Sequence, residues 1–253
     1  MNYYDKIRNC KDLSLLFELW KDKAPTEITY RKDKEEINGI IDHKKNCFIA
    51  DGIVNETVWN FSEKKRILFV LKEAYGSDWG ENTLASWLKT FHPTISTWDK
   101  VAKWVYGLQN TTKTYIPRYV DKLTSQQHNE CLEQIAVLNL KKSNGDTESV
   151  HDEICKYAEY DREEIKKEIE LIDPDIVVCG NTFGILYEIV YEQEPLRGDA
   201  ASDNWYYYKN LDGKERLYLD VYHPSNRWPE LMNYYTVTNI YQQALIEKSA
   251  QDV

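Results

Sequence analysis

Five consecutive apolar residues, Ile67-Leu68-Phe69-Val70-Leu71, stand between charged flanks and run into the polar segment Lys72-Glu73-Ala74-Tyr75-Gly76. A short unbroken run with β-branched and aromatic members predicts a strand buried on both faces of a parallel sheet. The pattern returns at residues 135–140, 176–180 and 217–222, each time followed by polar residues. Leu211-Asp212-Gly213-Lys214 reads as the turn of a hairpin, with Trp205-Tyr206-Tyr207-Tyr208 as its first arm and 217–222 as its second. Residues 48–54 predict a further short strand, broken at Asp51-Gly52, where turn duty is the expected role of Asp51 and an approach to the cleft the alternative.

Between these runs the apolar period lengthens to that of a helix. Leu13, Leu16, Phe17, Leu19 and Trp20 form one stripe, and Leu84, Trp87, Leu88 and Phe91 a second. Val101, Trp104, Val105 and Leu108 form a third. His92-Pro93 separates the last two helices and is read as structural. Residues 151–172 predict an acidic helix with a capping box at Asp161 and Glu164 and a solvated outer face. A closing helix is expected over 229–253. The expected fold class is therefore α/β. It comprises three layers, α/β/α, around a central, mostly parallel four-stranded sheet. The chain reads as one domain over 1–253, with a helical extension at about 1–46.

Composition narrows the function. The net charge is −10, which at first speaks against nucleic acid. Residues 145–175, however, carry twelve acidic and four basic side chains, so most of the excess lies in that segment and the remainder is near neutral. A local basic patch stays open. The five cysteines are scattered with no C-x-x-C pair, which argues against a zinc site, an iron–sulfur cluster or a disulfide framework and for a cytoplasmic protein. No secretory signal and no membrane-spanning run is visible. No cofactor is expected, and no G-x-G-x-x-G follows a strand, which disfavours a dinucleotide enzyme.

Three of the polar strand ends carry chemistry: the carboxylate Glu73, the amide Asn139 and the imidazole His223. Each has a plainer reading, as a solvated loop charge, a loop tether or a turn residue. In that order they resemble the uracil-DNA glycosylase superfamily over roughly residues 64–245. Lys72-Glu73-Ala74-Tyr75-Gly76 is similar to the Gly-Glu-Ala-Pro-Gly loop of its thermophile-type branch. Leu138-Asn139-Leu140-Lys141-Lys142 with Asn144 looks like that branch's Asn-Val-Val-Lys segment, and His223-Pro224-Ser225 matches the His-Pro-Ser motif of the superfamily. Lys72 and Tyr75 stand where the branch has Gly and Pro, and its four cluster cysteines have no counterparts.

The resemblance implies a uracil-DNA glycosylase-like fold and a monofunctional DNA glycosylase, a partner of DNA with the target base flipped into a pocket. Cleaving an N-glycosidic bond builds positive charge on the sugar and negative charge on the base, so Glu73 near the sugar and His223 as a donor to the base suit the chemistry. Asn139 would read the base edge, with Lys72, Tyr75 and Trp79 around it. Lys141, Lys142, Ser225, Arg227 and Trp228 would meet DNA, the last two as the wedge that fills the gap. Residues 77–120 hold four of the eight tryptophans. Together with Lys72 and Tyr75 they would suit a base larger than uracil, such as glucosylated hydroxymethylcytosine in phage DNA, and a defence role. Ordinary uracil repair remains open beside it, as does a non-catalytic nucleic-acid binder on the same fold.

Overall fold

A computed structural model describes residues 2–76, 79, 83–196 and 205–251. Among them, β3 (Gly52–Ile53), β4 (Ile67–Tyr75), β5 (Ile135–Gly145), β6 (Ile176–Gly180), β7 (Tyr206–Asn210) and β8 (Glu215–Val221) form a sheet in the order β3-β5-β4-β6-β8-β7. The sheet has six strands, not the expected four. Its four inner strands, β5, β4, β6 and β8, run parallel, and β3 and β7 flank them antiparallel. The extra strands are the first hairpin arm and a short edge pairing near Asp51, both too brief to weigh as sheet members from periodicity.

Alternate residues of the inner strands feed two cores. Ile67, Phe69, Leu71, Val137, Val178 and Leu219 face one helical layer, built from α4 (Leu84–Phe91), α5 (Ser96–Asn110), α6 (Ser125–Glu133) and α9 (Glu230–Gln251). Leu68, Val70, Leu138, Val177 and Tyr218 face the other. That layer contains α2 (Leu13–Lys21), α3 (Glu56–Phe61), α7 (His151–Tyr160), α8 (Arg162–Ile172) and a π-helical segment, Ile185–Val190. The chain is thus α/β, with helices on both faces of a mixed sheet. No helix among the described residues is long and apolar enough to cross a membrane.

Two expectations need correction. The N-terminal extension is helical only in α1 (Tyr3–Arg8) and α2; β1 (Thr26–Lys32) and β2 (Glu35–Ile41) then form an antiparallel hairpin. Its turn places Asp33 and Lys34 at φ 51° and 74°, the left-handed pair a two-residue hairpin needs. The acidic region breaks into α7 and α8 at Asp161, which makes no side-chain cap. Asp161 and Glu164 are buried instead on Lys23, at 3.3 and 2.8 Å, and His43 joins Asp161 at 3.0 Å. The face read as solvated is in part an internal charge cluster.

The strand order has a reversal point. From β4 the chain moves to β5 on one side, whereas from β6 it moves to β8 on the other. A crevice outside the carboxyl ends of strands at such a point is where ligands sit in open α/β sheets.

Candidate functional site

The crevice holds a cavity of about 690 Å³ lined by Glu73, Asn139 and His223, together with Tyr75, Trp79 and Ser225. Trp87, Trp98 and Ile95 complete an apolar wall. Three residues scattered over 150 positions of sequence meet because β4, β5 and β8 run parallel in one sheet, with Asn139 beside Leu71 and Asp220 level with Val70, so that Glu73 and His223 follow just beyond.

Glu73 is the rim carboxylate. Its side chain is 5% exposed, and Oε2 lies 2.9 Å from Lys141 Nζ, at ion-pair distance but poorly aligned for a hydrogen bond. Lys141 also reaches Glu153 at 3.1 Å and lies over the Tyr157 ring. Burial pulls the Lys141 pKa down, but the two carboxylates outweigh it and the net shift is upward. The carboxylate is seated on Gly145: a Cβ there would fall 2.3 Å from Glu73 Cγ. Lys141 is therefore no phosphate contact, as strand alternation turns it inward onto Glu73.

Lys142 is fully buried between Asp51 and Glu168, which it meets at 2.7 Å. It does not reach solvent, so the DNA role expected of it fails as well. Asp51 does more than turn the chain. Its Oδ2 accepts from the Asn139 backbone N–H at 2.6 Å and from Asn139 Nδ2 at 3.2 Å, while Oδ1 takes Lys142. One N–H of the amide is thereby held, which fixes which end of Asn139 is nitrogen. Glu168, sealed with this pair, has its pKa driven far up, by desolvation first and by the Asp51 charge second.

His223 follows β8. The Ser225 backbone N–H donates to its Nδ1 at 3.2 Å, and Ser225 Oγ lies 2.7 Å from the same atom. A backbone amide can only donate, so Nδ1 accepts and the ring proton sits on Nε2. Burial, aided by the nearby Lys72 charge, lowers the His223 pKa to about 4, so the ring is neutral at pH 7. Ser225 thus positions the imidazole rather than facing DNA alone. Gly180, at the end of β6, leaves room for the loop: a Cβ there would lie 3.4 Å from His223 Cδ2 and 3.3 Å from Pro224 Cδ.

The loop itself is wired. Asn226 Nδ2 donates to the His223 carbonyl at 2.7 Å, and the Trp228 N–H donates to Asn226 Oδ1 at 2.9 Å. Asn233 exchanges amide hydrogen bonds with Asn226, and Lys100 Nζ donates to the Asn226 carbonyl at 2.6 Å. Sequence reasoning missed Lys100, Asn226, Asn233 and Asp51. Only the polar density of 223–228 hinted at such wiring.

The remaining expected residues divide. Tyr75 is 69% exposed at the rim, and Trp79 donates Nε1–H to the Gly76 carbonyl and packs edge-on against Trp87. Lys72 does not line the cavity, because alternation along β4 points it away from Leu71 and Glu73; only its charge is felt, at His223. Arg227 and Trp228 are exposed beyond the His223 loop. Behind Glu73 lies a second, polar chamber of about 440 Å³, which shares Glu73, Tyr75, Gly76 and Asp146 with the first. Among the described residues no cluster of three His, Cys, Asp or Glu is placed to hold a metal.

No known family's profile and no curated protein matches this sequence.

Proposed function

We propose that the protein is a monofunctional DNA glycosylase that hydrolyses the N-glycosidic bond of a flipped-out pyrimidine, leaving an abasic site. The observation that carries this reading is the meeting of Glu73, Asn139 and a neutral, Nε2–H His223 in one cavity. In the reaction the C1′–N bond breaks with its electron pair going to the base. His223 Nε2–H donates to the base oxygen where that charge gathers, without having to give up its proton. Such a preplaced donor is worth about 10²–10³ in rate. Glu73 faces the sugar, favours its developing positive charge and orients the water whose oxygen bonds to C1′; the proton that water sheds passes by way of Glu73 to solvent, from which the departed base anion takes one. Asn139, held by Asp51, reads the base edge. Lys141 keeps Glu73 in place and balances its charge.

A modified, larger base is favoured as substrate over uracil by the size of the site. A cavity of about 690 Å³ exceeds what one pyrimidine ring fills, and a polar chamber that shares Glu73, Tyr75, Gly76 and Asp146 with it would suit a hydroxylated substituent. A defence role against phage DNA follows from that substrate.

The test is an abasic-site assay on purified protein, with uracil-containing duplex, glucosylated phage DNA and unmodified DNA side by side. Alkali-labile sites in the glucosylated DNA support the larger-base reading, and sites in the uracil DNA alone restrict the enzyme to repair. Binding without cleavage of any substrate overturns the glycosylase reading in favour of a binder.

A further inference from the structure

Trp205, Tyr222 and Trp228 are large rings left 46%, 51% and 54% exposed on one side of the catalytic loop. They lie in series. The Trp205 and Tyr222 centroids are 6.2 Å apart at an interplanar angle of 37°, and Tyr222 and Trp228 are 6.2 Å apart at 18°. Rings in contact face to face sit much closer, so a near-parallel pair at this separation is offset or open. Either way a large part of each π-face is uncovered.

The backbone holds this arrangement at a cost. Trp205 has φ 62°, a left-handed conformation that is an outlier for a bulky residue, and its carbonyl accepts the Asp220 N–H at 2.9 Å. Tyr222 directly precedes His223, and the Trp228 N–H is bound to Asn226 in the wired loop. The rings are therefore held by hydrogen-bonded backbone, and Tyr222 and Trp228 flank the segment whose His223 and Ser225 line the cavity. Arg227, next to Trp228, is exposed and has no ion pair or hydrogen bond among the described residues. Flat faces in a row beside an unpaired guanidinium match the two chemistries of a single strand, stacked bases and a charged backbone. A duplex hides its base faces and would leave the rings unused.

We propose that Trp205, Tyr222 and Trp228 form a stacking platform that binds unpaired bases of a single DNA strand beside the cavity, with Arg227 on its phosphates. This rests on DNA being the partner, as the glycosylase reading holds, but not on the cleavage chemistry.

The experiment measures anisotropy of a fluorescein-labelled, mixed-sequence single strand that carries no excisable base, against the same sequence as duplex. The single strand should bind more tightly. Each of Trp205→Ala, Tyr222→Ala and Trp228→Ala should weaken binding by about fivefold or more, whereas Trp228→Phe, which keeps a ring, should retain most of it. Arg227→Ala should reduce the salt slope by about 0.7. Unchanged affinity in the triple alanine variant, tighter binding of the duplex, or tighter binding of the matching RNA strand overturns the proposal. The two readings separate cleanly. Abasic sites with ring-independent strand binding remove the platform alone, and ring-dependent binding without abasic sites removes the glycosylase alone.

Discussion

Two adjacent lysines on β5 each sit between two carboxylates, and the two clusters behave differently. Lys142, Asp51 and Glu168 have side chains 0% exposed. Lys141, Glu73 and Glu153 are 8%, 5% and 20% exposed, and Glu73 borders two cavities. The composition is the same, one lysine to two carboxyl side chains. Sealing makes the first cluster a fixed support for Asn139, whereas a single open side leaves Glu73 facing the cavities. Charge inventory alone does not distinguish scaffold from site; the difference is which groups can meet a ligand.

The comparison breaks most visibly at Lys142. Lys142→Met leaves Asp51 and Glu168 buried without a cation, and stability should fall by roughly 3–5 kcal/mol, read by denaturant unfolding. Lys141→Met, whose carboxylates keep a path to solvent, should cost less, and equal losses for the two variants would erase the distinction between sealed and open clusters.

Next in size is Glu73→Gln. It should lower turnover about 10³-fold, roughly 4 kcal/mol, with DNA affinity and the unfolding midpoint nearly unchanged. A collapse in affinity with normal turnover per bound complex would make Glu73 a binding residue.

His223→Ala should cost about 10²–10³ in base release while the protein stays folded. In the wild type, a folded pKa of about 4 means the neutral ring persists well below pH 6.5. Protonation would put hydrogen on Nδ1, where Ser225 already points an N–H, so activity should hold to about pH 5 and fall through about pH 4. Stability from this depressed pKa is present above the unfolded value near 6.5 and is lost as pH falls toward the folded one. Unfolding and rate must therefore be followed separately. An acid limb centred near pH 6.5 would contradict the half-buried, Ser225-bound ring.

The smallest effect sharpens the comparison with a carboxyl that has no lysine. Asp220 is pushed up to about 6 by desolvation alone. Its folded pKa lies above the unfolded value, so the ionised form is penalised and stability declines as pH rises from about 4 to 6. Asp220→Asn should stabilise the protein by about 1–2 kcal/mol at pH 7 and have no effect at pH 3, measured by denaturant midpoints at both pH values. Equal gains at the two pH values would exclude ionisation as the cause.

The inner strands are legible because each is a mostly apolar run, interrupted only by Asn139 in β5 and Asp220 in β8, and the polar residues within and after them mark the cavity. Glu73, Asn139 and His223 share that cavity for this reason. Lys141 and Lys142 were misread because a lysine's charge suggests solvent, while its long stem and strand alternation can carry the ammonium inward to a carboxylate distant in sequence. Nothing local in the sequence announces Glu153 or Glu168 as those partners. The β1–β2 hairpin hid behind high charge, since its two-residue turn uses Asp33-Lys34 instead of the Asn-Gly that would signal it. Asp51 stands beside a glycine, so the turn outweighs the cleft in its sequence, and nothing local shows its bonds to Asn139 and Lys142.

The seat of Glu73 also has a consequence for inheritance. Because the carboxylate lies where a Cβ of residue 145 would be, every substitution of Gly145 acts first on a side chain seventy-two positions upstream. The clash falls on Glu73 Cγ and Cδ, so the whole side chain would have to swing off Lys141, and such alleles would encode a protein with a displaced carboxylate. Selection on the chemistry would then act at codon 145 much as it does at codon 73, and lineages that drift at one should show change at the other.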